Sequence, residues 1–147
     1  MIDLIKIHRI SPKLTLPIRQ KVLRNGKIPK ELCEFNWDYN KESFHLGAYF
    51  NKNIIGIVSI LNTSKKKSSV KRLRGMAVLS PYQKSGIGSL LIDEAEKILK
   101  NNKTSLIWLK ARKYALDFYL KKGYKKTGNP FDIEDIGIHY KCEKKIL

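Results

Sequence analysis

The sequence predicts one mixed α/β domain with a mostly antiparallel sheet. Its 147 residues are the length of a single domain, and 42% hydrophobic with 29% charged residues is close to the globular average. Three strand-like segments follow one another between residues 44 and 79, and a strongly amphipathic helical pattern comes directly afterwards. We therefore predict a single domain over residues 1–147 with the element order βα(α)βββαβαββ.

The N-terminal part of the chain predicts a strand, a helix and a segment of undecided structure. Apolar and polar residues alternate over residues 2–7, as in a strand with one buried face. The apolar side chains of residues 12–23 favour a helix that ends at Asn25-Gly26. Residues 27–43 form either a short helix around residues 31–35 or an ordered loop, and this segment is a candidate lid on the substrate side.

The next part of the chain predicts three strands that pair antiparallel. Segments 44–50 and 54–61 are joined by the short polar turn Asn51-Lys52-Asn53, whose asparagines tolerate a positive φ. A third strand covers residues 70–79 and ends at Ser80-Pro81, where proline removes a backbone donor.

The C-terminal half predicts two helices and three further strands. The first helix covers residues 87–101, because its apolar residues recur on one helical face: Ile87, Leu90, Leu91, Ala95, Ile98 and Leu99. After it we predict, in order, a strand at 106–109, a helix at 111–122 ended by Gly123, a strand at 124–126, a turn at Gly128-Asn129-Pro130 and a strand at 136–144.

The formal net charge of +17 favours anionic partners. The excess is mostly lysine scattered along the chain, without a recognition helix or an aromatic RNA-stacking pattern, which disfavours nucleic acid. No stretch approaches the roughly 20 apolar residues of a membrane span, and the N-terminus lacks a signal-peptide pattern, so we expect no membrane partner and a cytoplasmic location. Cys33 and Cys142 lie outside any Cys-x-x-Cys spacing, so we expect no metal site.

Residues 83–88 predict an anion-binding loop. They follow a strand that ends at Leu79, and they lead into a helix whose first turn points unpaired backbone N–H groups into one place. Gly86 and Gly88 remove Cβ atoms where a ligand comes close. The loop is too short for a Walker A motif and lacks the third glycine of a dinucleotide fingerprint. The remaining interpretation is a loop that binds a pyrophosphate in a different fold. Alternatively, the glycines only let strand and helix pack closely.

Two segments resemble the GNAT superfamily of N-acetyltransferases. Residues 74–91, with Gln83-Lys84-Ser85-Gly86-Ile87-Gly88, are similar to the acetyl-CoA motif Q/R-x-x-G-x-G/A of that superfamily. Residues 111–124 resemble its N-A-R…A-x-x-F-Y-x-K-x-G-F segment, with Lys110 in place of the usual asparagine. The resemblance implies a small single-domain member of GNAT type, with a central parallel splay in the sheet and helices flanking it.

The resemblance also implies acetyl-CoA as cosubstrate and a small-molecule or peptide amine as acceptor, which attacks the thioester directly. It places the backbone of Met76, Ala77 and Val78 along the pantetheine arm, and it requires no metal. The other implied cofactor-binding residues come from the loop and from the second segment: Gln83, Lys84, Ser85, Gly86, Ile87, Gly88, Ser89, Lys110, Arg112 and Tyr119. We expect a monomer or a homodimer.

Acetyl transfer to an amine needs an oxyanion donor, a general acid and a base. The candidate oxyanion donor is the backbone N–H of Met76 or Ala77. Tyr119 is the candidate acid for the leaving thiolate, the alternative being a core residue. The candidate bases are His45 and His139; Glu34, if buried, or a water molecule are further alternatives.

Two alternatives stay open from the sequence. The acidic residues Asp132, Glu134 and Asp135 either attract a cationic amine or form a solvated loop. The alternative function is a non-catalytic basic binding module on the same scaffold, associated with nucleic acid.

Overall fold

The computed structural model describes residues 2–147 and contains seven strands in one sheet. The strands are β1 (Ile5–Ile10), β2 (Phe44–Phe50), β3 (Asn53–Leu61), β4 (Val70–Val78), β5 (Leu106–Arg112), β6 (Lys125–Ile133) and β7 (Gly137–Lys145). They lie in the order β1-β2-β3-β4-β5-β7-β6. Only β4 and β5 are parallel neighbours; the other pairs are antiparallel. The mixed, mostly antiparallel sheet confirms the predicted fold class.

The first three strands form an antiparallel meander. The β2–β3 hairpin has the predicted turn, in which Asn51 has a φ of 56°. The strand predicted at residues 2–7 is displaced, because Ile2–Leu4 forms a 3-10 turn and pairing with β2 runs from Ile5 to Ile10. The sequence pattern missed this extension because His8 and Arg9 interrupt the alternation of apolar and polar residues.

Strands β4 and β5 pair at one end only and then separate. Residues 70–72 of β4 are in register with residues 106–108 of β5. Beyond them β4 stays paired with β3, and β5 stays paired with β7. Gly75 has a φ of 69° and lies in a β-bulge opposite the register shift between Ile57 and Ser59. A bulge bends its strand, so the separation of β4 from β5 is built into β4. The predicted central splay is confirmed.

One face of the sheet is covered by α2 (Ile87–Asn101), which packs on β1 to β4, and by the short helix α3 (Leu116–Lys121). The apolar face predicted for α2 is buried in this core through Ile87, Leu91, Ile92, Ala95 and Leu99. Full burial of each large aliphatic side chain contributes about 1.5–3 kcal/mol. The start of α2 is thereby fixed against the sheet beside the end of β4.

The opposite face carries the helical segment of residues 12–23. It consists of a 3-10 turn (Pro12–Thr15), α1 (Leu16–Ile18) and a π-turn (Arg19–Leu23), and it ends before Asn25 and Gly26 as predicted. Ile18 packs there against Ile57 and Ala77. Residues 27–43 form an ordered loop that contains the 3-10 turn Lys30–Cys33, so both structures considered for this segment occur in part.

Two predicted boundaries in the C-terminal half were wrong. The helix predicted from residue 111 begins later, because β5 stays paired with β7 up to Arg112 and His139. The turn predicted at Gly128-Asn129-Pro130 is a bulge within β6, and the chain turns instead at residues 134–136. Because β6 is the edge strand, a proline there removes no N–H that the sheet needs.

Within residues 2–147, no helix combines the length and apolar character needed to cross a membrane. The same residues contain no group of three or more His, Cys, Asp and Glu side chains arranged to hold a metal ion.

Candidate active site

A cavity of about 690 Å³ lies where β4 and β5 separate. Along β4 the Leu79 N–H donates to the Ile55 carbonyl at 2.8 Å, and Ala77 is in register with Ile57. Backbone N–H groups alternate between the two edges of a strand, so those of Met76 and Val78 point away from β3 and toward β5. The gap therefore presents backbone groups of β4 that no strand pairs with.

The first turn of α2 forms one end of the cavity. Gly86 caps the helix with a φ of 90°, and Lys84 precedes it with a φ of 61°. The first N–H groups of a helix have no intrahelical acceptor, and here they lie beside a cationic loop. Six of the seven predicted loop residues line the cavity: Gln83, Lys84, Gly86, Ile87, Gly88 and Ser89. This end of the cavity suits an anion.

Side chains of the loop hold it against β4 and α3. The Gln83 Nε2 donates to the Val78 carbonyl at 2.8 Å, which ties the loop to the end of β4. A Cβ at position 88 would lie 3.2 Å from Phe118 Cζ, so glycine lets α2 approach α3. Ser85 does not line the cavity; its Oγ donates to the Tyr82 carbonyl. Ser85 therefore shapes the loop and does not face the cavity. The glycines fit both interpretations made from the sequence, because Gly88 allows close packing of α2 on α3 and both glycines line the cavity.

Tyr119 lies on α3 and lines the cavity with 7% of its surface exposed. Its ring contacts Phe118 and Tyr124 edge-on. Among the described residues, no group is hydrogen-bonded to the Tyr119 hydroxyl. Burial, together with Tyr114 and Cys142, raises the pKa of the phenol well above its usual value. The hydroxyl is therefore a protonated donor at the cavity.

His139 lies on β7, across from Arg112 of β5, and lines the same cavity. Its Nδ1 is 2.9 Å from the Gly137 carbonyl, and its ring stacks on Phe131 at a centroid distance of 5.9 Å. A carbonyl only accepts hydrogen bonds, so Nδ1 carries the proton of the neutral ring. The other nitrogen, Nε2, then has the lone pair that a base requires.

His45 is not among the residues that line this cavity. It is 2% exposed on β2; its Nε2 donates to the Asp38 carbonyl at 3.0 Å, and its Nδ1 accepts from Ser59 Oγ at 2.7 Å. Burial lowers the pKa of the imidazole, which stays neutral. Both ring nitrogens are occupied, so the structure separates the two predicted histidines: His139 is at the cavity, and His45 is in a buried network.

The remaining predicted residues, Lys110 and Arg112, project from β5 into the cavity lining. The Lys110 Nζ lies 5.7 Å from the centroid of the Phe131 ring. The Arg112 Nη2 donates to the Leu23 carbonyl at 3.4 Å, which links β5 to the π-turn on the other side of the gap.

Several lining residues were not predicted from the sequence, and three of them matter most for the charge and shape of the cavity: Arg72, Arg74 and Phe35. Arg72 and Arg74 alternate with Leu73 on β4, as polar and apolar residues do in an ordinary strand, and Phe35 lies in the segment 27–43, whose structure the sequence leaves undecided. The available signal was the position of β4: a strand followed by a crossover helix and a parallel strand is central in its sheet. Polar side chains of a central strand face a covered surface rather than solvent.

The acidic side chains considered from the sequence do not line the cavity. Asp132, Glu134 and Asp135 are exposed on and around the β6–β7 turn, whose apolar residues Ile133 and Ile136 face the cavity instead. Glu34 is exposed beside Phe35.

Comparison with known proteins gives a consistent family assignment. Residues 22–142 match a family model described as an acetyltransferase (GNAT) domain. The chain is also 36% identical over 139 residues to YitI of Bacillus subtilis, which is described as an uncharacterized N-acetyltransferase; the match covers 92% of this chain and 93% of YitI.

Solved structures share the fold at low sequence identity. ElaA of Escherichia coli has a TM-score of 0.80 at 12% identity, covering 95% of this chain and 99% of that one. An N-acetyltransferase named paia from Thermoplasma acidophilum, in complex with coenzyme A, has a TM-score of 0.69 at 22% identity, covering 96% and 98% of the two chains.

Proposed function

The chain belongs to the GNAT family of acetyltransferases, and from this premise we propose that it transfers the acetyl group of acetyl-CoA to a primary amine. The amine attacks the thioester directly while both substrates are bound. The observation that supports this most is the continuity of one cavity from the α2 N-terminus, along the unpaired edge of β4, to Tyr119 and His139.

The residues of the cavity fit coenzyme A. The first-turn N–H groups of α2 and the charge of Lys84 suit a pyrophosphate, and Gly86 provides the positive φ of 90° with which the loop enters the helix. The N–H of Val78 suits a carbonyl oxygen of the pantetheine arm, which would extend the β4 edge as an added strand does. Bound there, acetyl-CoA supplies an activated acetyl group with a thiolate leaving group.

Backbone and side-chain donors of this chain would stabilise the charges that develop. Of the two candidate oxyanion donors, the N–H of Met76 faces the gap, whereas that of Ala77 faces β3. A fixed N–H pointed at a developing oxyanion requires no reorganisation during the reaction. Tyr119, whose hydroxyl lines the same cavity, would donate its proton to the leaving sulfur.

The base takes one proton from the attacking amine. His139 is the candidate at the cavity, because the contact of its Nδ1 with the Gly137 carbonyl leaves Nε2 as the nitrogen that would accept the proton. His45 would need to give up a hydrogen bond inside a buried network to act, which favours His139 or a water molecule beside it.

Two measurements on the purified chain test this proposal. Calorimetry is expected to show CoA and acetyl-CoA binding, together with a rise in melting temperature, because a ligand of the native state stabilises it. A panel of primary amines with acetyl-CoA is expected to release free thiol in step with acetylated amine. Absence of CoA binding would refute the proposal, and CoA binding with tight, salt-dependent nucleic-acid binding but no acetyl transfer would favour the non-catalytic module.

A further inference from the structure

The charged side chains that line the cavity are all cationic. None of the cavity's lining residues within the described chain is Asp or Glu. Six cationic side chains line it: Arg24, Arg72, Arg74, Lys84, Lys110 and Arg112. Lys84 belongs to the loop before α2. We define the cationic wall as Arg72, Arg74 and Lys110, which lie on β4 and β5 near the point where the strands separate.

The cationic wall is too far from the phosphate end to serve it. Arg74 and Gln83 are separated by the rest of β4 and a 3-10 turn. At about 3.3 Å per strand residue, the five steps from Arg74 to Leu79 alone span about 16 Å. The bulge at Gly75 and the N–H of Met76, where the acetyl group would lie, come between the two ends.

Within the described residues, neither arginine of the wall is ion-paired with a carboxylate, and the Asp38 charge acts on Arg74 without a direct contact. The Arg74 guanidinium lies 3.9 Å from the centroid of the Phe35 ring, and that of Arg72 lies 4.8 Å from the Trp108 ring. Among residues 2–147, neither makes a salt bridge, and the buried Nε of Arg72 has no hydrogen-bond partner. The guanidinium of Arg19 lies 3.7 Å from the centroid of the same Phe35 ring, on its other face. Arg19 differs from the wall arginines because the Asp38 carboxylate neutralises its charge.

The positive charges of the cationic wall also repel one another, which makes each charged form less stable. Burial, followed by the charges of Arg72 and Arg19, lowers the pKa of Arg74 to about 10. Lys110 is exposed, and partial desolvation lowers the pKa of its ammonium group, with further contributions from Arg72, Arg74 and Lys141. An anion bound among these groups would relieve both costs, and guanidinium groups match the planar oxygens of carboxylates and the oxygens of phosphates.

We propose that the acceptor amine carries an anionic group, a carboxylate or a phosphate, that binds to the cationic wall of Arg72, Arg74 and Lys110. This inference rests on the proposed function. It excludes polyamines and lysine-rich peptides as preferred acceptors, since their additional ammonium groups would meet only positive charge in the cavity. The same field favours the neutral form of the reacting amine, which is the nucleophilic one.

Matched pairs of amines that differ in one acidic group test the proposal. With acetyl-CoA and the full chain, kcat/KM is compared for phenylalanine against phenethylamine, and for phosphoethanolamine against ethanolamine, with spermidine as the polycation. In at least one pair, we expect kcat/KM for the acidic amine to be about tenfold or more above kcat/KM for its neutral partner. This ratio corresponds to one good charge-assisted contact.

Substitution of the wall then assigns the effect. Arg74→Met keeps an unbranched side chain against Phe35 and removes the charge, so the acidic preference should fall by about tenfold through KM, with CoA affinity unchanged. Arg9→Met is the matched control, because Arg9 also lies over an aromatic ring, Phe44 at 4.6 Å, but outside this cavity. It should keep the preference.

The possible failures are distinct. Absence of CoA binding overturns the proposed function. CoA binding with equal kcat/KM within each pair, with a preference for spermidine, or with no acetylation of any acidic amine overturns the assignment of an acidic acceptor. Transfer from succinyl-CoA to neutral amines that depends on Arg74 would place the anion on the acyl group and would also overturn it.

Discussion

Arg19 and Asp38 form a buried bidentate ion pair, with distances of 2.7 Å from Nη1 to Oδ2 and 2.9 Å from Nη2 to Oδ1. The same carboxylate accepts from the Phe35 N–H at 2.9 Å, and Arg19 Nη2 also donates to Ser59 Oγ. The pair therefore fixes the loop that carries Phe35, whose ring forms part of the cavity wall between Arg19 and Arg74. A core ion pair on one face of the sheet thus positions one side of the candidate active site.

Replacing Asp38 should destabilise the fold strongly. Asp38→Asn leaves the Arg19 charge uncompensated in a site where the two side chains are 1% and 0% exposed, which costs about 3–5 kcal/mol. Urea unfolding followed by circular dichroism measures the change. Asp93→Asn is the control, since its pair with Lys122 is 2.6 Å long but Asp93 is 60% exposed, and it should cost less than about 1 kcal/mol. Equal losses for the two variants would contradict the importance of the buried pair.

The free energy of unfolding should decrease as the pH is lowered, because of His45. Burial lowers the pKa of this imidazole below its usual 6.5, opposed by the Asp38 carbonyl and carboxylate and assisted by Arg19. The unfolded chain therefore takes up a proton that the folded chain excludes, so stability is full above about pH 6.5 and declines below it. Melting temperatures at pH 7 and pH 5 measure the decline. His45→Gln should be less stable at pH 7 yet lose less on acidification, and an equal loss would show that other groups cause the decline.

The features that the sequence predicted well are those with local signals. The apolar face of α2, the asparagine turn after β2 and the glycine loop at residues 83–88 each depend on residues close together in the chain. The limits of β5 and β6 were missed because pairing with β7, not local propensity, extends these strands. Tertiary hydrogen bonds overrode the helical pattern at Ala111 and the turn pattern at Gly128.

The side of the cavity formed by Phe35 and the cationic wall was the least predictable. Arg19 and Asp38 are 19 residues apart and Arg19 and Ser59 are 40 apart, so no local pattern joins them. His45 and His139 were equivalent candidates in the sequence, and only the fold shows that one is enclosed and the other reaches the cavity. The cationic wall depends on which strand is central, a property of the whole sheet.

Gly86→Val should remove CoA binding without unfolding the chain. The φ of 90° and the new side chain would both disturb the cradle before α2, where the nearest atom to an added Cβ is Ile2 Cδ1 at 3.3 Å. We expect CoA affinity to fall by at least about tenfold in calorimetry. Gly128→Val is the control, because it has a φ of 71° and open space around it, in the β6 bulge. Both variants carry strain of about 1–3 kcal/mol, and similar CoA affinities in the two would argue against the placement of the pyrophosphate.

Tyr119→Phe should lower kcat and leave CoA affinity nearly unchanged. The hydroxyl makes no hydrogen bond within the described chain, so its loss should not reduce the free energy of unfolding. Tyr124→Phe gives the opposite pattern, because the Tyr124 hydroxyl donates to Glu96 Oε2 at 2.9 Å outside the cavity lining. It should cost about 1 kcal/mol of stability and leave turnover intact. Equal turnover for wild type and Tyr119→Phe would return Tyr119 to a packing role.

His139→Gln should lower kcat/KM at neutral pH by about 10²–10⁴-fold, the usual contribution of a positioned general base. Glutamine keeps an amide donor within reach of the Gly137 carbonyl but has no proton acceptor of imidazole strength at the Nε2 position. The rate of the variant should therefore keep rising with pH as solvent deprotonates the amine. His8→Gln is the control, because His8 is exposed on β1 and contacts Tyr49. If both variants match the wild type at every pH, deprotonation of the amine does not pass through His139.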